Sequence, residues 1–531
     1  MSITRADITR ADTAFARPKS STFTFPSGKT LSLVFRQSLD RDDAIQAGVG
    51  GFVELAHVAG PSGATISNGP GRVPGAATRF DMDRAGRQEP APFEGIYAIG
   101  ARHCIRLAGE SCACPVRADR IGYSPTRLSA RVAEIVIAGA GMAGVAAAHQ
   151  LAVRDGVSRV VLIDPREPLS LTSSQGTEAY RNYWPGPDDT MARFMDRSID
   201  LLDALDRESG QAFELNRRGY VFLTADPTEA SRLRAHANLT RQFADSVPAI
   251  RERYPFVTDR VLAMLHVRRA GFMNATKLGQ YLLDRARTNG VEVVSDEVVG
   301  LVTDQQRVAA VRLASGGRIE TRTLVVSPGP LLPEWADPLE LGVPIVNELH
   351  GKISFEDHAG VIPRDAPLMI WNDAVDLGAL GTFPPAVHLR PRGATSILGI
   401  WTYDTRVGPA TFPPVFARDY FDIVIRGLSV MIPDLAAYVD TGASAIVDGG
   451  YYCKAPDNRP LIGPTAIEGA YLLGALSGFG IMASQAAAEL LAAHVLDRPR
   501  PDYAAAFHPA RFADPEYRRV LATLDAKSGQ L

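Results

Sequence analysis

Gly139, Gly141 and Gly144 form the pattern G-x-G-x-x-G, and Asp164 follows twenty residues after the last of them. Glycines at this spacing act by leaving room. The first permits a tight turn, the second lets the backbone approach a pyrophosphate, and the third lets a helix pack closely on a strand. A helix that begins there turns free N–H groups and a partial positive charge toward the phosphates. Asp164 is suited to accept hydrogen bonds from the ribose hydroxyls of an adenosine, and its charge disfavours a 2′-phosphate. The ligand class is an adenine dinucleotide other than NADP. The same glycines also occur in turns that only pack a helix on a strand, but strand, helix and acid stand in register here. These four residues do not choose between FAD and NAD.

A second small-residue turn, Ser477-Gly478-Phe479-Gly480, follows the apolar run Ala470 to Gly474 and opens a long apolar helix. A helix N-terminus at this place suits the pyrimidine end of an isoalloxazine ring, where negative charge appears on reduction. That arrangement raises a flavin's potential and favours substrate oxidation.

The elements around these turns follow from hydrophobic patterning. Glu134 to Ala138 (EIVIA) reads as a buried strand, Val145 to Val153 as an alanine-rich helix, and Val160 to Ile163 as the strand completing a βαβ unit. From Ala133 onward, alternating strand and helix signals predict an α/β fold with a largely parallel sheet. Met191, Phe194, Met195, Ile199, Leu202 and Leu205 fall at helical spacing over Asp189 to Leu205, with Asp189 as N-cap. A helix over Thr276 to Thr288 leads through Asn289-Gly290 into strands near Val291 to Val294, Val298 to Val302, Val308 to Leu313 and Leu324 to Val326, all expected to return to the nucleotide-binding sheet. Between Leu341 and Asp448, runs such as SILGIWTYD predict an antiparallel sheet in a second, substrate-binding domain. Residues 1–131, rich in Gly, Ser, Pro and Arg, are expected to be a poorly ordered N-terminal extension, either an appendage or an over-long reading of the start. Phe23 to Phe35 reads as one hairpin around Ser27-Gly28.

The 531 residues, 46% hydrophobic and 22% charged, suffice for two or three folded units. A net charge of -3 sets up no field for nucleic acid or anionic lipid, so neither partner is expected. The longest apolar run, IVIAGAGMAGVAAA, is broken by glycines and suits a nucleotide-binding turn better than a membrane span. The first residues carry no apolar stretch of the secretory kind, and the expected location is the cytoplasm. Four cysteines give no disulfide framework. His103, Cys104, Cys112 and Cys114 lack a paired C-x-x-C, so no metal site is expected.

In this order and spacing, several segments together are specific: GAGMAG, TSSQGTEAYRNYWPG at Thr172, GFMNATKL at Gly271, LVVSPGP at Leu324, HLRPRG at His388, PDNRPLIGP and SGFGIMAS. Through them the chain resembles the D-amino-acid-oxidase-like superfamily of FAD enzymes, nearest to its glycine and sarcosine oxidases and its sarcosine and dimethylglycine dehydrogenases. The resemblance runs from about Ala133 to Phe512. It implies a Rossmann-type FAD-binding domain over residues 132–185, 280–335 and 449–500, a discontinuous antiparallel-sheet substrate domain over 186–279 and 336–448, and a C-terminal tail over 501–531. It also implies cofactor contacts from Thr172, Ser173 and Ser174, from Val298, from Gly329, and from Gly478, Phe479, Gly480, Ile481 and Met482.

The implied reaction is hydride transfer from a substrate Cα–H to flavin N5, giving an imine that water hydrolyses. Arg181 matches the position of an arginine that binds the substrate carboxylate in sarcosine oxidases. The residues alone leave it open whether Arg181 is that anchor or a surface arginine in a mixed-charge loop. Two departures from the pattern matter. Met482 stands where sarcosine oxidases have a carboxylate-binding lysine, and the strand that carries their oxygen-activating lysine reads His388-Leu389-Arg390-Pro391 here. Arg390 either supplies positive charge near the flavin or shapes the site. Gly450 occupies the place of the flavin-linking cysteine of some relatives, so FAD is expected to be noncovalent, with Cys453 a small half-buried residue. Tyr180, Tyr183, Trp184 and Trp371 suit a pocket wall or a core. The expected reaction is oxidation of the CH–N bond of a small amino acid or N-methylated amine, with O2 or an electron-acceptor protein or quinone taking the electrons. The alternatives are 2-hydroxy acid oxidation and an electron-transferring FAD subunit of a complex.

Overall fold

In the computed structural model the chain divides into two compact units, Met1–Ala118 and Asp119–Leu531. The structure describes residues 131–186, 188–441 and 445–522, and before them only the backbones of five short strands. In the first unit, Lys19–Thr24 pairs antiparallel with Thr30–Phe35, setting Phe23 opposite Leu31, so the expected hairpin forms but its first strand begins at Lys19 and not at Phe23. Val53–Ala59 adds a third strand to it. The expectation of poor order over the rest of 1–131, and the side chains of the His103 and Cys104 cluster, lie outside the described residues.

The second unit is a mixed α/β fold. Ile135–Ala138 and Val160–Ile163 are apolar and buried at every position, the signature of parallel strands covered on both faces. They lie at the centre of a six-stranded sheet ordered Glu292–Val294, Val160–Ile163, Ile135–Ala138, Leu324–Val326, Ala470–Gly474, Leu461–Pro464. All neighbours in it run parallel except the last pair. Met142–His149 begins at the glycine turn and packs against Gly480–Val495, which in turn packs on Thr190–Glu208. Alanines 146, 147, 483, 486 and 487 in these helices are buried, and their small side chains let the backbones approach.

Two expectations are corrected. Of the four strands expected to return to this sheet, Val298–Asp304 and Arg307–Leu313 form a separate four-stranded sheet with Arg318–Glu320 and Arg131–Val132. Gln305 and Gln306 between them both have positive φ, 50° and 62°, which makes a tight hairpin turn and fixes an antiparallel pair. At the start of Thr190–Glu208, Asp189 sits at the cap position without a capping bond, and the N–H of Thr190 donates to Asp188 Oδ1 at 3.0 Å instead.

A nine-stranded sheet contains Tyr220–Thr224, Leu368–Trp371, Val387–Arg392, Ser396–Ile400, Val346–Glu356 and Ile446–Lys454. It is antiparallel throughout except between Tyr220–Thr224 and Leu368–Trp371. Side chains alternate between its faces. Val221, Met369, Trp371, Leu389 and Ile353 form one core, shared with helix Tyr420–Met431. The other face carries Tyr220, His388, Arg390, His350 and Lys352, all buried. Register puts Lys352 opposite Ile400, and Ile400 opposite His388, in one row across three strands. No helix among the described residues is long and apolar enough to cross a membrane.

Candidate active site

The glycine turn is built by exclusion. Gly139 has φ +105°, and a Cβ there would lie 2.3 Å from the carbonyl oxygen of Ser327. A Cβ on Gly144 would lie 1.8 Å from the carbonyl oxygen of Gly139, so neither position admits a side chain. At Gly141 the nearest atom to such a Cβ is Ser173 Oγ at 3.3 Å, and the space in front of the helix stays open. Asp164 ends the second strand, where its Oδ2 accepts the N–H of Ala140 at 2.8 Å and its Oδ1 the N–H of Arg166 at 2.9 Å. Each carboxylate oxygen keeps a further lone pair for a ligand hydroxyl.

A single cleft runs from this turn to the start of helix Gly480–Val495. Gly139, Gly141, Asp164, Thr172, Ser173, Val298, Gly329, Gly478, Gly480 and Ile481 line it. The other expected cofactor residues stand behind its walls. Gly144 packs beneath the turn, and Ser174 Oγ donates to the carbonyl of Leu171 at 3.0 Å. Phe479 and Met482 are buried in the core of the parallel-sheet region. Arg166, Ser327, Tyr451, Tyr452 and Cys453 also line the cleft, and sequence reasoning passed over them in this role. Strand alternation in Ile446–Lys454 could not have found both tyrosines, because it sends neighbouring residues to opposite faces.

An adenine dinucleotide fits these walls. Two helix N-termini border the cleft, glycines keep the approach free, and the hydroxyl oxygen of Ser477 is buried in the cleft wall with no protein partner. A Cβ on Gly450 would lie 3.1 to 3.3 Å from Thr172, so this position touches the cleft-lining segment without offering a nucleophile. Burial pushes the Cys453 thiol up to about 12, which keeps it protonated and unreactive.

Beside the cleft, a cluster of buried polar and aromatic side chains lies against the charged face of the nine-stranded sheet. Arg181 ends strand Ala179–Arg181 and is 5% exposed, so it is no surface arginine. Its Nε donates to the carbonyl of Tyr183 at 3.0 Å, and its guanidinium lies 4.7 Å from the Trp184 ring and 5.9 Å from the Tyr220 ring. Burial pulls its pKa below the usual arginine value, against the opposing influence of Tyr220, Tyr183 and Tyr452. The Trp184 ring meets Phe479 edge-on at 5.0 Å, which ties the Arg181 cluster to the start of the cleft's second helix. Tyr452 lines the cleft and stacks on His350 at 3.7 Å; burial pushes its hydroxyl up to about 12.

His388 Nδ1 lies 2.8 Å from the carbonyl of Ala386, which fixes the proton on Nδ1 and leaves Nε2 as an acceptor. Burial first, then the charge of Arg181, drives its pKa down to about 4, so the ring is neutral near pH 7. Arg390 is engaged otherwise. It pairs with the carboxylate of Glu178, its Nε donates to the carbonyl of Thr177 at 2.7 Å, and its charge lies 4.8 Å from the Phe272 ring. Among the expected wall residues, Trp184 packs against Arg181 and Phe479. Trp371 faces the opposite core, Tyr180 donates to the carbonyl of Asn216 at 2.6 Å, and Tyr183 packs on Phe222.

A family model described as FAD dependent oxidoreductase (DAO) matches residues 134–494. No curated protein matches the sequence. Among solved structures, L-proline dehydrogenase from P. horikoshii is similar at TM-score 0.61 and 21% identity, over 72% of this chain and 98% of that one. Glycine oxidase from Geobacillus kaustophilus is similar at TM-score 0.60 and 16% identity, over 71% and 98%. Iminodiacetate oxidase from Chelativorans sp. BNC1 is similar at TM-score 0.56 and 20% identity, over 71% and 99%. At these identities the likeness is one of fold.

Proposed function

The chain belongs to the DAO family of FAD-dependent oxidoreductases, and from that premise we propose that it oxidises the CH–N bond of a small amino acid or N-methylated amine, using FAD held without a covalent bond. When bound, FAD supplies at N5 the acceptor for the hydride that leaves Cα, and water hydrolyses the imine. Residues 132–185, 280–335 and 449–500 hold the cofactor in this reading, and 186–279 with 336–448 hold the substrate.

The observation that carries the proposal is the burial of Arg181 against Trp184 and Tyr220, with Trp184 touching Phe479 at the edge of the cleft. A planar guanidinium pairs with a carboxylate through two parallel hydrogen bonds, and at a buried arginine that pair fixes both position and orientation. The aromatic rings hold the plane of the fork. Tyr220 and Tyr452, both raised to about 12 by burial, stay protonated and serve as donors.

His388 orients the amine and does not deprotonate it. Transfer of a proton from the ammonium of a free amino acid, a far weaker acid than an imidazolium of about 4, is strongly uphill, too much so for an efficient base. The neutral Nε2 instead accepts one amine N–H. The ammonium gives its proton to solvent water before it binds beside Arg181, where burial and the Arg181 charge disfavour a second cation.

Product analysis tests the reading. Release of ammonia or an amine in step with the carbonyl product supports it, and a carbonyl product without nitrogen release turns the assignment to 2-hydroxy acid oxidation. The electron acceptor, O2 or a protein or quinone, is distinguished by whether the reduced protein recovers quickly in air.

A further inference from the structure

The segment Gln175–Glu178 leaves the cleft-lining residues Thr172 and Ser173, passes the cleft at Gly176, and enters the strand that ends in Arg181. A Cβ on Gly176 would lie 3.0 Å from Ile481 Cδ1, so the segment runs tightly against the start of helix Gly480–Val495. Its other side is held by two buried cations. Lys352 Nζ donates to Gln175 Oε1 at 3.2 Å and to Asp448 Oδ1 at 2.5 Å, and Gln175 Nε2 passes the contact on to Ser174 Oγ at 3.1 Å. Arg390 takes the far end, through the carbonyl of Thr177 and the carboxylate of Glu178. Glu178 has φ +58°, a left-handed conformation that a non-glycine residue adopts only where its surroundings impose it.

Both cations stand on one face of the nine-stranded sheet. Lys352 lies opposite Ile400 and Arg390 opposite Leu398, on either side of the same strand. Strand spacing of ~4.8 Å and a rise of ~3.3 Å per residue put their Cα atoms roughly 12 Å apart. Gln175 at one end of the segment meets Lys352, and Thr177 with Glu178 at the other end meets Arg390, so the two side chains hold its two ends.

We propose that Lys352 and Arg390 are positioning residues that latch Gln175–Glu178 to the sheet and thereby set the wall of the FAD cleft and the approach of Arg181 to it. Neither cation is then available as a substrate or oxygen anchor. The inference rests on the FAD-binding reading above. It adds that the cofactor site is completed from residues of the nine-stranded sheet which do not line the cleft.

The test compares FAD dissociation constants, by titrating apoprotein and following flavin fluorescence, for wild type, Lys352→Met, Gln175→Leu and Arg390→Lys. Losing a charge-assisted contact from the latch is expected to weaken FAD roughly tenfold or more. Lysine at 390 keeps the charge but cannot reach Thr177 and Glu178 together, so it should fail as a conservative replacement. Lys352→Met and Gln175→Leu remove the same contact, and the double variant should lose little more than either alone. The visible flavin band should shift in each, a change that the fall in apoprotein melting temperature from breaking a buried ion pair would not by itself produce. Should Arg390→Lys not fold, Glu178→Gln combined with Arg390→Met removes both buried charges and carries the same prediction. Wild type binding FAD and all variants binding within about twofold of it overturns the latch alone. Failure of wild type to bind FAD overturns the cofactor reading, and the latch with it.

Discussion

Ser173 Oγ accepts the backbone N–H of Met142 at 2.9 Å, so a hydroxyl 31 residues downstream caps the helix whose N-terminus borders the cleft. Gly141, at the cap position, has no side chain to do this. Ser173→Ala therefore removes a cap and a polar group of the cleft wall together. Loss of a cap costs about 0.5 to 2 kcal/mol. FAD should bind roughly 3- to 30-fold more weakly, read by equilibrium dialysis, with the fold retained. Unchanged binding would mean that the cap does not matter to the cofactor.

The glycines of the turn should separate. Gly144→Ala drives a methyl to 1.8 Å from the Gly139 carbonyl, and the helix must move off the sheet. A large drop in melting temperature and no flavin in the purified protein are expected. Gly141→Ala meets only Ser173 Oγ, at 3.3 Å, and should fold normally while binding FAD more weakly. Equal behaviour of the two variants would contradict the close packing assigned to Gly144.

Arg181→Lys keeps a cation but loses the planar fork against Trp184. KM for a carboxylated substrate should rise on the order of 10- to 100-fold, with the flavin spectrum unchanged. A KM equal to that of wild type would remove Arg181 from substrate binding.

Acid should destabilise the protein through its buried histidines. His149, His266 and His388 are each lowered from 6.5 to about 4, with burial the largest cause. Between those values the unfolded chain binds more protons than the folded one. Stability is therefore complete above about pH 6.5 and declines as the pH falls toward 4, by on the order of 3 kcal/mol per histidine. Melting temperature measured from pH 7.5 to 4.5 should drop below 6.5, with a shallower slope in His149→Gln. A flat profile to pH 5 would contradict these shifts.

What the sequence made legible was local. The glycine turn, Asp164 and the strands around them are contiguous, so spacing alone showed their relation. The periodic helix at Met191 to Leu205 was equally plain, because all six of its apolar positions face one core. Arg181 and His388 were singled out one by one, but their clustering with Tyr220 and Tyr452 was not legible, because three of the four stand on separate strands of the nine-stranded sheet and Arg181 on a strand of another, two-stranded sheet. The partner of Arg390 was hidden for the same reason, since Glu178 lies 212 residues away. Hydrophobic runs predicted that Val298 and Val308 lie in strands, but the turn at Gln305 and Gln306 decided which sheet those strands built.

The central claim is that this chain binds FAD and passes it electrons from an amine-bearing carbon. Its most direct test is the absorbance of the purified protein, mixed without oxygen with glycine, sarcosine, proline, D-amino acids and 2-hydroxy acids in turn. The account predicts a flavin spectrum that one or more of the amines bleaches and the 2-hydroxy acids leave intact. A protein with no flavin absorbance after incubation with FAD, or a flavin bleached by 2-hydroxy acids alone, would contradict it.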